Sequence, residues 1–222
     1  MAVITISREP GSGGLEIAQH VAKTLGYAFV DKHTHDGIFR QYGLTKFDDV
    51  YNSAPSFLDL INADNLLLVS MANEIVEAVA KRGDVVILGR ASFAVLANYA
   101  DVLNVRIQAP FAERVQRVMA REGLTDLQAA EERVREDDSV HRTYVQRFYN
   151  KQWDEPSNFA LVLDMGTLSS DMAVQRIVEA AKVLEQKAPG KDAVTTATIE
   201  VDPVLADAVA KVIAEPLPTS PD

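Results

Sequence analysis

A chain of 222 residues without a cysteine is long enough for one well-buried domain plus an appendage and too short for two ordinary domains of similar size. With 47% hydrophobic and 24% charged residues it has the composition of a soluble globular protein, and the absence of cysteine excludes disulfides and thiolate metal sites. The net charge of −10 argues against a general nucleic-acid surface. No apolar run reaches the roughly 20 residues of a membrane span, and the N-terminus MAVITISREP lacks the make-up of a secretory signal, so a cytoplasmic protein is expected.

In chain order, Val3 to Ile6 is a β-branched, apolar run that ends in Ser7, Arg8 and the turn-forming Pro10-Gly11-Ser12-Gly13-Gly14. Ile17, Ala18, Val21, Ala22 and Leu25 then recur at helical spacing, Gly26 stops that helix, and Tyr27 to Val30 predicts a second strand closing at Asp31. The first 31 residues therefore read as one βαβ unit. Helices are predicted over 33–43 and 55–82, the second carrying Leu58, Ile61, Leu66, Val69, Ile75, Val76 and Val79 and ending at Gly83. Val85 to Leu88 is a continuous apolar run, as in a strand buried on both faces of a parallel sheet, and Gly89-Arg90 follows it. A fourth strand is expected at Val102 to Ile107 and a fifth at Phe159 to Leu163. Helices are expected over 110–122, started by Pro110, over 125–149, capped by Thr125, and over about 170–187. This alternation predicts an α/β fold with a three-layer, doubly wound parallel sheet. Residues 1–188 form its domain. After Ala188, Pro189-Gly190 and a threonine-rich stretch precede a weak helix near Val204 to Ala214 and the ending PLPTSPD, so 189–222 reads as a dispensable linker and tail.

The glycine-rich turn carries the first chemical signal. Backbone N–H groups of such a loop, together with the helix N-terminus behind it, form a concave anion site. The phosphate-loop pattern GxxxxGK[ST], laid with Gly13 on its second glycine, puts Arg8 on the first glycine, Gly14 on the lysine and Leu15 on the hydroxyl residue. By pattern alone, a phosphate loop and a plain tight turn fit about equally. Arg90, at the end of the third strand, suits a bidentate phosphate contact or is a surface arginine. Arg135 and Arg142, seven apart, share a helix face, and Asp138 can pair with Arg142 four residues on; a solvated charged face is the alternative. The four histidines, His33 and His35 among them, have no metal-site spacing, and no metal ligands are assigned.

The segments ITISREPGSGGLEIA, LGYAFVDK, VVILGRASFAVL, VRIQAP, EDDSVHRTYVQRFY and NFALVLDMGTLSSDMAVQRI, in this order, resemble the cytidylate-kinase-like family over about residues 3 to 183. The resemblance implies a nucleoside-monophosphate-kinase fold, with a five-stranded parallel sheet, a helical lid near 125–150, and Mg²⁺-dependent transfer of the ATP γ-phosphoryl group to CMP or dCMP. Gly11, Ser12, Gly13 and Gly14 would hold the donor phosphates, with Arg8 contributing charge. Asp31, Arg40, Arg90 and Asp138 would serve the acceptor, and Asp164 would approach the adenine. In the lid, Asp138 and Tyr144 fit a D-x-x-R-x-x-[YF] pattern, while His141 falls at the arginine and Arg142 one later; Arg135, His141 and Arg142 would close over the transferring group. A phosphate contact from His141 would weaken above a pKa near ~6.5. The family's loop commonly lacks the lysine and is usually followed by arginine, where this chain has Leu15. Losing one preorganised donor costs about 2.7 to 4 kcal/mol, so slow turnover is one expectation. The rivals are a nucleotide-binding sensor without turnover and a kinase of another small metabolite.

Overall fold

The computed structural model describes residues 2–42, 63–190 and 192–214. The elements in chain order are β1 (Val3–Arg8), α1 (Gly14–Leu25), β2 (Ala28–Val30), α2 (Lys32–Gln41), α3 (Ala63–Arg82), β3 (Val85–Leu88), α4 (Ser92–Val95), β4 (Val102–Gln108), α5 (Phe111–Glu122), α6 (Leu127–Tyr149), β5 (Leu161–Asp164), α7 (Ser170–Gln186) and α8 (Pro203–Ala214). All five strands are parallel, in the order β2-β3-β1-β4-β5. The register sets Ile4 beside Val86 and Leu103, and Ile6 beside Leu88 and Val105. From the central β1 the chain winds first to one side and later to the other, which makes its carboxyl end the switch point where such sheets bind ligands.

Period-two side-chain alternation in the strands builds two cores. On one face Ile4, Ile6, Val105 and Ile107 meet Ile17, Ala18 and Val21 of α1 and Ile177 and Ala181 of α7. On the other, Val3, Val85 and Ile87 meet Ile38 and Phe39 of α2 and Ile75, Val76 and Val79 of α3. The expected three-layer, doubly wound architecture is therefore present. Boundaries differ slightly: Asp126, one residue after Thr125, caps α6 by accepting from the N–H groups of Gln128 at 2.9 Å and Ala129 at 3.4 Å, because a carboxylate in extended backbone is the stronger cap. The short α4 was not expected. Residues 55–62 of the predicted second helix, with Leu58 and Ile61, lie outside the described residues, as do Gly43 and PLPTSPD.

The segment after Ala188 departs most from its sequence reading. Ile199, Leu205, Ala208 and Val209 are buried in the core that α2 and α3 form over β3. Ahead of α8, Ala100 N–H donates to Val194 O at 2.8 Å, Thr196 donates its N–H at 2.8 Å and its hydroxyl at 2.7 Å to the Asp101 carboxylate, and Lys81 Nζ donates to Ala197 O. The weak apolar stripe of α8 suffices because α2 offers a close approach: a Cβ on Gly37 would lie 3.2 Å from Val212 Cγ1. Residues 194–214 of the stretch read as linker and tail are thus packed structure.

Candidate active site

At the end of β1 the chain turns sharply, with Ser12 N–H donating to Glu9 O at 3.1 Å. Gly11 and Gly13 hold φ angles of 77° and 82°, in the left-handed region that favours glycine. Gly11 also needs the space, since a Cβ there would lie 2.6 Å from Arg114 O. The N-terminus of α1 thereby opens onto a cleft of about 550 Å³, lined by the loop, Arg8, Asp31, Lys32, Arg117 and Arg121. Ser12 Oγ is buried beneath the loop and has no hydrogen-bond partner among the described residues. Gly14 stands where the phosphate-loop lysine would be, and a Cβ on it would lie 2.5 Å from Arg8 Cβ. Arg8 passes over that gap to β3, where a Cβ on Gly89 would lie 2.5 Å from Arg8 Nη1. The cation missing from the helix is therefore offered from the strand.

Buried charges brace this loop. The Glu9 carboxylate receives Arg106 Nη2 at 3.1 Å, Arg114 Nε at 3.3 Å and Ala109 N–H at 3.1 Å. Arg106 also donates to Trp153 O at 3.0 Å and lies 4.6 Å from the Trp153 ring. Burial lowers its pKa and the Glu9 charge opposes that shift, so it remains a guanidinium cation. Arg114 forks onto both oxygens of Asp138, at 3.0 and 2.9 Å, and reaches Pro10 O at 3.4 Å. One arginine thus joins the loop to α6.

The second cleft, about 350 Å³, lies at the end of β3 and is lined by Arg8, Lys32, Arg90, Arg133, Asp137 and His141 among others. Gly89, Arg90 and Ala91 take φ angles of 76°, 54° and 50°, a run that turns the buried Arg90 toward α2, where Asp36 pairs with it at 2.5 Å. Asp31 caps α2 by accepting from Thr34 N–H at 3.0 Å and its hydroxyl at 3.1 Å, while its side chain borders the loop cleft.

Of the residues expected at the site, Gly11, Gly13, Gly14 and Asp31 border the first cleft, Arg90 the second, and Arg8 and His141 both, while Ser12 borders neither. Arg40 is exposed and borders neither. Arg135, its side chain 64% exposed, pairs with Glu131 at 3.6 Å and lies over Phe111, and Arg142, 53% exposed, pairs with Asp154 at 3.5 Å. Both point away from the clefts, and Asp138 turns to Arg114 and not to Arg142. The cause is helical phase: at about 100° per residue, Arg133, Asp137 and His141 form one stripe facing the clefts, and positions 135 and 142 fall on the opposite side. Sequence reasoning passed over Lys32, Arg117, Arg121, Arg133 and Asp137; for the α6 pair, the four-residue spacing to His141 was the available signal. Asp164 caps a turn, accepting from Gly166 N–H at 2.9 Å. Of the histidines considered for metal, His33 is exposed at the first cleft and His35 is buried against Phe39. Among the described residues no three His, Cys, Asp or Glu side chains cluster to hold a metal.

His141 has the most constrained geometry of the site. Its Nδ1 lies 2.7 Å from Asp137 O, and its ring stacks on Trp153 with centroids 5.2 Å apart and planes 21° from parallel. Burial lowers its pKa, the bond to Asp137 O opposes that, and Arg8 and Arg90 lower it further.

Residues 3–167 match the cytidylate kinase-like family. The cytidylate kinase of Pyrobaculum aerophilum is 30% identical over 178 residues, covering 79% of this chain and 90% of that one. That of Ignicoccus hospitalis is 28% identical over 177 residues, covering 80% and 97%. Among solved structures, a protein of Eubacterium ventriosum superposes with a TM-score of 0.61 at 20% identity, over 84% of this chain and all of that one. The shikimate kinase of Bacteroides thetaiotaomicron gives 0.52 at 13%, over 82% and 98%, a likeness of fold alone. Because the family match runs from β1 past β5 and takes in the glycine loop, Arg90 and α6, the chain belongs to the cytidylate kinase-like family.

Proposed function

We propose that the protein is a cytoplasmic kinase that moves the γ-phosphoryl group of ATP, bound with Mg²⁺, onto CMP, dCMP or a related nucleoside monophosphate, with residues near 125–150 as its lid. The observation that carries this reading is that two clefts, one floored by a glycine loop and one by a buried arginine, share Arg8, Lys32, Leu88, Asp137 and His141 at their junction. Phosphoryl transfer asks little covalent chemistry of a protein; it asks that donor and acceptor phosphates meet in line where charge is neutralised. The loop N–H groups and the α1 N-terminus hold the donor phosphates. Arg8 supplies the charge that Gly14 lacks, and Arg90, fixed by Asp36, clamps the acceptor phosphate. An acceptor phosphate oxygen then bonds to the γ-phosphorus as its bond to the ADP oxygen breaks. Mg²⁺ would keep several waters and substrate oxygens and need only one or two protein oxygens, for which the Asp31 carboxylate at the first cleft and the unpartnered Ser12 hydroxyl buried beneath the loop would serve. When bound, it neutralises charge on the phosphate oxygens.

A coupled assay of ADP formation across CMP, dCMP, UMP, AMP and GMP tests this. The fastest turnover is expected with CMP or dCMP, and EDTA should abolish it. If no monophosphate stimulates ADP release above the background with ATP alone, the reading fails. The placement of Arg135 and Arg142 outside the clefts favours one alternative, a nucleotide-binding protein without turnover. That protein would raise its melting temperature with nucleotide yet form no ADP.

A further inference from the structure

His141 borders both clefts, so it stands where donor and acceptor phosphates would meet. A carbonyl oxygen only accepts, so the 2.7 Å contact with Asp137 O places the proton on Nδ1 and leaves Nε2 as the lone-pair nitrogen of a neutral ring. Trp153 fixes the plane of that ring, and Arg106 in turn holds Trp153 by its carbonyl and its indole face. The ring therefore cannot exchange its two nitrogens without breaking both contacts.

The charges around it come from every element that meets there, and across the first cleft they include Glu16 of α1, Asp31 before α2, and Arg117 and Arg121 of α5. Arg8 from β1, Arg90 after β3 and Lys32 from α2 are cationic; α6 itself adds Arg133, Glu136, Asp137 and Asp138, and Asp138 is already matched by Arg114. In the absence of nucleotide, burial and the arginines favour the neutral imidazole. A nucleotide phosphate entering the junction brings at least two negative charges within reach of the ring and reverses that balance.

We propose that His141 is a proton-coupled phosphate ligand: neutral in the empty site, it accepts a proton from solvent at Nε2 when nucleotide phosphate enters the junction, and donates that N–H to a phosphate oxygen. This rests on the nucleotide-kinase reading. The linkage has a definite sign. Between the lowered pKa of the free protein and the raised pKa of the complex, binding takes up a proton, so affinity falls as pH rises through that window, by up to about tenfold per pH unit. Below the lower pKa the ring is charged in both states and the dependence disappears. An arginine at this position would give none.

The experiment is calorimetry of CMP binding in the presence of ADP and Mg²⁺, at pH 7, in buffers of different ionisation enthalpy. It is joined by NMR titration of the His141 ring in free and bound protein, with His141→Gln identifying its resonance. Net uptake larger in the native protein than in His141→Arg by roughly half to one proton is expected, with the ring pKa rising by at least one unit on binding. Nucleotide binding with an unshifted His141 resonance would overturn the inference and leave the kinase reading standing. Should His141→Gln fail to fold, the His141 resonance is assigned in native protein from its through-space contacts with the Trp153 ring, so the NMR arm still decides. Binding of neither nucleotide would remove both.

Discussion

The two clefts are held in opposite ways. The glycine loop is braced from within the sheet, by Glu9 beside the turn and by Arg106 and Arg114, roughly a hundred residues later in the chain, in a buried charge network. The second cleft depends on α2, which supplies Lys32 to the cleft and Asp36 to Arg90, and α2 is supported from outside by α8 near the far end of the chain. A phosphate-binding loop must keep its N–H groups fixed. An acceptor site that rests on a separate helix can instead shift with whatever holds that helix.

The largest expected effect tests that outer support. Deleting everything after Ala188 removes Ile199, Leu205, Ala208 and Val209 from the core. At about 1.5 to 3 kcal/mol for each large apolar side chain, the loss approaches ~5 kcal/mol, a large share of an ordinary domain's stability. The truncated chain should melt at least ~10 °C lower; unchanged melting would show that α2 stands without α8. Next comes the inner brace. Arg114→Ala strands the Asp138 carboxylate in half-buried surroundings and leaves Glu9 with Arg106 and the Ala109 N–H alone, and should cost about 3 to 5 kcal/mol in urea denaturation, whereas a loss below ~1 kcal/mol would mean that the loop is self-supporting. Arg90→Ala should separate the two clefts, weakening CMP by about 1.5 to 3 kcal/mol while leaving ADP nearly unchanged in calorimetry. Equal losses for both nucleotides would merge the clefts into one site. The smallest effect belongs to Arg135→Ala and Arg142→Ala, exposed pairs each worth less than ~1 kcal/mol. Their kcat and KM should match the parent, and a tenfold fall in kcat would mean that α6 turns on closing.

The same contrast governs what the sequence disclosed. The glycine loop is encoded in seven consecutive residues, Arg8 to Gly14, so its turn could be read directly. All five strands were readable too, Val85 to Leu88 as a continuous apolar run buried on both faces and the others as short apolar or β-branched runs between turn signals. On α6 the spacing of Arg135 and Arg142 correctly implied a shared face but not which face. Charged residues surround this helix, and its phase is set by packing of Ala130 and Val134 against Val115 and Val118 and of Tyr144 and Val145 against Phe93 and Trp153. Ile199 to Val209 looked too sparse to repay their ordering because the surface they bury against is formed by α2 and α3, more than a hundred residues earlier. His141 was visible as a departure from the lid pattern. Its proton position was not, since that depends on a helix carbonyl and on a tryptophan in the following loop.

The crossing of Arg8 over Gly14 also constrains how this loop can have changed by descent. A lysine introduced at Gly14 alone would drive its Cβ to 2.5 Å from Arg8 Cβ, so the step toward the lysine-bearing loop passes through a damaged intermediate. Shortening Arg8 alone would leave the site with neither cation. Each residue makes the single change at the other unfavourable, and because the clash is with Arg8 Cβ only glycine at position 8 would clear the way for a lysine at 14. Lineages on either side of that barrier would retain their version of the loop long after the rest of the sequence had diverged.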